Sequence, residues 1–129
     1  MTFGAFGAGP FGPNNSFWFN AQSAYVGCDN GATDPSLTSD FVATAWKWNE
    51  AEAQNFVTFT QHFTQEPCAN FTNCQLTQIF FDVAEFQGLS QVSLYCNVQG
   101  LQKMFWMDTV ELSWWNSTCA AGLQREETR

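Results

Sequence analysis

Through most of this chain apolar residues recur at every second position, and that period of two limits its folds more than any other feature. In an extended strand successive side chains point to opposite faces, so such a pattern lays one apolar face against a core. Residues 16–26 form the first strand candidate. Residues 40–49 follow, with Val42, Thr44, Trp46 and Trp48 on one face. Residues 55–64 place Val57, Phe59 and Phe63 together, opposite Thr58, Thr60 and His62. Residues 75–83 align Ile79, Phe81 and Val83, and residues 89–98 alternate Val92, Leu94, Cys96 and Val98 with polar neighbours. The last candidate, 103–115, carries Met104, Trp106, Asp108, Val110, Leu112 and Trp114 on one face and Phe105, Met107, Thr109, Glu111, Ser113 and Trp115 on the other.

The connections suit strands. The 4 prolines fall outside the strand cores, where their missing amide does no harm. Gln99-Gly100 reads as a short hairpin turn, and Asn49 to Gln54 as a turn or a single helical turn. Residues 1–15, rich in Gly and Pro with Phe3, Phe6 and Phe11 as anchors, read as an extended arm that must dock on something if ordered. The expected architecture is therefore an all-β antiparallel sandwich of jelly-roll type over residues 16–129, with an N-terminal arm over 1–15.

Charge narrows the partners. Twelve acids against four bases leave a net charge of −8. Only Lys47, Lys103, Arg125 and Arg129 could neutralise phosphates, which argues against nucleic acid and against an anionic membrane surface. No apolar run is long enough for a membrane-spanning helix. The high content of Phe and Trp rules out disorder.

Five cysteines and three Asn-x-Ser/Thr triplets, at Asn14, Asn70 and Asn116, point to a secreted protein carrying disulfides and glycans. Met1 does not begin a signal peptide, so a mature domain or fragment is expected. Cys68 and Cys74 flank a short loop whose closure would contribute about 2 kcal/mol by loop entropy. Cys28 and Cys119 are then the expected long-range pair, and Cys96, in an apolar strand, a buried thiol.

Catalytic sets are missing from the sequence. There is no nucleophile elbow and no phosphate-binding loop, and His62 is the single histidine. The carboxylate pairs Asp82/Glu85 and Asp108/Glu111 have no spacing that predicts glycosidase geometry. Asp29, Asn30, Thr33 and Asp34 offer hard oxygen ligands on a Gly-containing loop, so the metal to expect, if any, is a structural calcium. The plainer reading is a loop with Asx caps and an Asp108 bonded to backbone. Tryptophan and tyrosine combine flat apolar area with a polar tip, which suits stacking on sugars. Trp46, Trp48, Trp115 and Tyr25 are the candidate platforms among abundant Asn and Gln, although most aromatics of a sandwich fill its core.

The run Phe86-Gln-Gly-Leu89-Ser-Gln-Val92-Ser-Leu94, followed by Phe105-Trp-Met107-Asp108-Thr-Val110-Glu-Leu112, resembles the closing strands of galactose-binding-like jelly rolls. There, a strand follows a Gly-Leu entry and the last strand carries an acid between apolar residues. That resemblance implies a role for Asp108 as a calcium ligand. Phe17 to Ala21, Ser23 to Gly31, Cys74 to Thr77 and Trp115 to Cys119 also resemble a domain of unknown function of secreted fungal proteins, across residues 9–125. Ser39 stands where that family often has a cysteine, which leaves the partner of Cys28 open. An upstream strand is also lacking, so a free strand edge is expected.

Two functions are consistent with these features. One is a non-catalytic extracellular module that binds carbohydrate or cell-wall polysaccharide. The alternative is an extracellular structural protein whose copies self-assemble into rings or filaments through the N-terminal arm and a free strand edge.

Overall fold

The computed structural model describes residues 3–28, 38–66 and 76–127. Alternating strands build two antiparallel sheets that pack face to face as an all-β sandwich, as the period of two requires. The strands are β1 (Phe3–Gly7), β2 (Phe19–Cys28), β3 (Ser39–Asn49), β4 (Gln54–Gln65), β5 (Thr77–Phe80), β6 (Gln91–Val98), β7 (Leu101–Lys103) and β8 (Phe105–Trp114). The larger sheet runs β1-β6-β3-β4, with short β7 sharing the β1 edge of β6. The smaller sheet runs β5-β2-β8.

The expected arm docks on its own chain. β1 pairs antiparallel with β6, from Phe3 opposite Tyr95 to Gly7 opposite Gln91. The glycines permit this close approach: a Cβ on Gly7 would run into the Ser90 carbonyl, and one on Gly4 would lie 3.0 Å from the Phe105 ring.

One face of every long strand feeds the core. Phe41, Ala43 and Ala45 of β3 and Val92, Leu94, Cys96 and Val98 of β6 line the larger sheet. Phe19, Ala21, Ala24 and Val26 of β2 oppose them from the smaller one. The small alanines leave space that Phe81, Phe86 and Leu89 fill from the irregular stretch between β5 and β6. Phe41 meets Phe105 edge-on at 5.3 Å, and Phe59 meets Phe86 likewise at 6.1 Å, the perpendicular geometry aromatic quadrupoles favour.

Three expectations need correction. Cys28 bonds Cys96, joining β2 to β6 across the two sheets, and Cys119 is an exposed free thiol. Strand alternation had placed Cys96 in the core correctly, but its partner arrives from the facing sheet. Cys68 and Cys74 lie outside the described residues. Second, the strand expected over 103–115 starts two residues later, as β8 (Phe105–Trp114), because Lys103 closes the separate strand β7. Gln99 and Gly100 both have positive φ, as a type I′ hairpin needs, and return β7 along β6. After Met104 the chain crosses to the smaller sheet as β8. Third, residues 119–127, within the span expected to be all-β, form helix α1 (Cys119–Glu127). The Thr118 hydroxyl accepts the Ala121 amide, an N-cap. Gln124 then accepts from the Ser16 hydroxyl at 2.7 Å, pinning the helix to the turn before β2.

The disulfide closes a separation of 68 residues. Replacing Cys28 and Cys96 together with Ala is expected to lower stability by about 4 kcal/mol on the loop-entropy estimate. Urea denaturation of the double variant against the parent measures it, and an unchanged midpoint would show that the cross-link adds nothing to the packed sheets.

Candidate functional site

The two outer faces of the sandwich differ in chemistry. On the larger sheet, Trp46 donates its indole N–H to the Ser93 hydroxyl at 2.9 Å and lies half-buried. Trp48 is also half-buried, its ring close against Gly12 of the N-terminal segment. These two tryptophans cover their own sheet. On the same sheet His62 is exposed and pairs with Asp40 at 3.0 Å.

Among the described residues, the outer face of β5-β2-β8 carries several exposed side chains, ordered by strand register. Residues directly opposite one another share a face. Gln78, Tyr25 and Asp108 form one such row across the three strands. Phe80, Ser23 and Glu111 form the next. On the other side Gly27 stands opposite Trp106, so a residue without a side chain borders the indole. Phe80, Tyr25 and Trp106 therefore lie on one diagonal, each step about 7–8 Å. Their exposures are 64%, 36% and 53%, high for such apolar rings.

Polar groups fill the spaces. The Tyr25 hydroxyl donates to Gln78 Oε1 at 3.2 Å. The Asn20 and Gln22 amides both donate to the Ser113 hydroxyl, at 3.2 and 2.7 Å. Asp108 accepts the Thr109 amide at 2.8 Å and is exposed. That is the plainer of the two readings of Asp108, bonded to backbone instead of turned into the core. Thr109 has a φ of 48°, and at this point β8 carries one extra residue against β2. This bulge resets the alternation. It lets both Phe105 and Val110 face the core, five positions apart, while Trp106, Asp108 and Glu111 stay outside.

The structure does not bring the four expected sugar platforms together. Tyr25 sits at the centre of this face. Trp115 follows the end of β8, packed on Trp18 at 5.3 Å between centroids and against Gly88, with 45% of its surface exposed. Trp46 and Trp48 belong to the opposite sheet. Trp106 and Phe80 are the residues that sequence reasoning missed. Trp106 shares a strand face with Asp108 in the sequence pattern, and an acid on that face was the signal that it points to water.

The calcium ligands expected at Asp29, Asn30 and Asp34 lie outside the described residues. Among the described residues no three His, Cys, Asp or Glu side chains gather as a metal site. Asp82 caps its own turn, accepting the Ala84 and Glu85 amides at 3.0 and 3.1 Å. Asn14 and Asn116 lie in turns, as their triplets led one to expect, each with its side-chain oxygen already accepting a hydrogen bond. Asn70 lies outside the described residues.

Position predicts cost. Trp106→Ala is expected to change stability by less than about 1 kcal/mol, because the indole is solvent-facing. Phe41→Ala, in the core, should cost about 3–5 kcal/mol. Paired denaturant melts separate the two, and a large loss for Trp106 would make it a packing residue and remove it from the site.

Comparison with known proteins places the chain in a family without supplying an activity. A family described as a domain of unknown function, DUF7371, matches residues 1–125. No curated protein and no solved structure matches the chain. With nearly its whole length inside that match, this chain belongs to the DUF7371 family.

Proposed function

We propose that this domain is a non-catalytic extracellular module that binds carbohydrate through the outer face of β5-β2-β8. The observation that carries the reading is the exposed diagonal Phe80–Tyr25–Trp106 set among Gln22, Gln78, Asp108 and Ser113. Sugars present flat C–H faces that stack on aromatic rings, while their hydroxyls need amide and carboxylate partners. Trp115, just past the far end of β8, lies roughly 30 Å from Trp106 at the usual rise per residue. A surface of that length suits a polymer better than a single sugar. Extracellular residence is supported by the Cys28–Cys96 disulfide, which persists in oxidising compartments. No helix among the described residues is long and apolar enough to cross a membrane. The galactose-binding-like resemblance, and the secreted fungal setting implied by the separate resemblance to a domain of secreted fungal proteins, are part of this proposal. A calcium ion held by Asp29, Asn30, Asp34 and Asp108 is a separate proposal: it requires a melting temperature that falls with EDTA and recovers with added calcium.

A second reading has its own observation. Between β1 and β8 the sandwich is open, with an apolar cleft of about 570 Å³ lined by Phe6, Phe11, Phe17, Phe19, Leu112 and Trp114. Among the described residues no strand pairs with the outer edge of β8. Self-assembly through this edge is the alternative, but the arm is already paired with β6, so an arm exchange must first break that pairing.

Affinity electrophoresis in gels containing soluble polysaccharides tests the first reading. Trp106→Ala and Tyr25→Ala should each weaken retardation about tenfold, the scale of one lost aromatic contact in a shallow site. Trp46→Ala should leave it unchanged. Retardation lost only with Trp46 would move the site to the other sheet. Large assemblies in light scattering with no retarding polysaccharide would favour the second reading.

A further inference from the structure

We infer that this face selects polysaccharides whose sugars carry free amines, an inference that rests on the glycan-binding reading above and names its ligand class. Asp108 stands directly opposite Tyr25 and two residues along β8 from Trp106. A carboxylate between two exposed aromatic rings is a site for an ammonium group. The carboxylate accepts a charge-assisted hydrogen bond, and the ring faces attract the same cation through their quadrupoles. An ionised carboxylate has about four acceptor positions, and the Thr109 amide uses one of them.

Charge around the site points the same way. Among the described residues, the charged residues of these three strands are Asp108 and Glu111, the latter one row away opposite Ser23. Among the described residues no Lys, Arg or His shares it: Lys47 lies on β3, His62 on β4 and Lys103 on β7. Arg125 stacks on Trp114 at 4.2 Å, beside a ring that shares its strand face with Phe19 and the cleft. The whole chain carries a net charge of −8, which draws cationic polymers toward it and repels uronic or sulfated ones. A stacked sugar ring holds its amine at the rim, where the neighbouring carboxylate can reach it. An N-acetylated sugar stacks equally well but offers no charge.

The test titrates the full chain, at low salt and in mildly acidic buffer, with three oligosaccharides of equal length. These are oligomers of glucosamine, of N-acetylglucosamine and of glucose. Oligolysine of matched charge is the fourth probe. The parent should bind the glucosamine oligomer about tenfold more tightly than the acetylated one, the scale of one charge-assisted hydrogen bond. Added salt should shrink that difference. Asp108→Asn retains the oxygen that accepts the Thr109 amide, so the bulge is kept. It should abolish the preference, bringing the glucosamine and N-acetylglucosamine oligomers to the same affinity. Trp106→Ala should weaken all three sugars together. Equal affinity for glucosamine and acetylated oligomers, or a preference that survives in Asp108→Asn, overturns the inference but leaves glycan binding standing. Oligolysine bound as tightly as the glucosamine oligomer overturns it too, since charge alone would then suffice. Failure to bind any of the sugars overturns both readings.

Discussion

Everything in this fold depends on the contact between the inner faces of β2 and β6, locked by the Cys28–Cys96 bond. Among the described residues the smaller sheet has three strands and only β2 is paired on both sides, so β2 must bury one face completely to hold the others in place. Phe19, Ala21, Ala24 and Val26 do so. Three of those four side chains are small, and the aromatic bulk comes from Phe41, Phe81 and Phe86 around them. Aromatic packing of this kind lets a chain poor in charged residues form a stable domain without the long helices that usually cover a sheet.

The same strand produces the candidate site. Because side chains alternate, fixing Ala24 and Val26 inward forces Tyr25 outward. Register with β5 and β8 then sets Gln78 and Asp108 on either side of it. The bulge at Thr109 keeps this row compatible with a half-buried Val110 facing the core further along β8. A rigid face on paired strands holds its rings in a fixed array, so little ordering entropy opposes a weak, repetitive ligand.

Much of this was legible in the residues. The period of two located β3, β4, β6 and most of β2 and β5, and Gln99-Gly100 marked its hairpin. Periodicity could not say which face of a strand meets the other sheet. On β3 the alanines and Phe41 turn inward while Val42, Thr44 and Trp46 turn outward, a choice made by the opposing sheet and invisible locally. Cysteine connectivity was hidden for the same reason: Cys28 and Cys96 become neighbours only when the sheets stack. The break at Met104 was masked by continuous alternation from Lys103 to Trp115. Trp106 was passed over because a tryptophan within an apolar alternation reads as core, and only the register showed it opposite a glycine on the outer side.

The most direct test of this account is a nuclear magnetic resonance titration that follows the six indole N–H signals as a polysaccharide oligomer is added. The Trp106 signal should move with saturation, along with backbone amides around Tyr25 and Asp108. The Trp46 and Trp18 indoles, bonded to Ser93 and to the Gly12 carbonyl, should stay in place. Shifts confined to Trp46 and Trp48 would put the ligand on the larger sheet and contradict the assignment of this face.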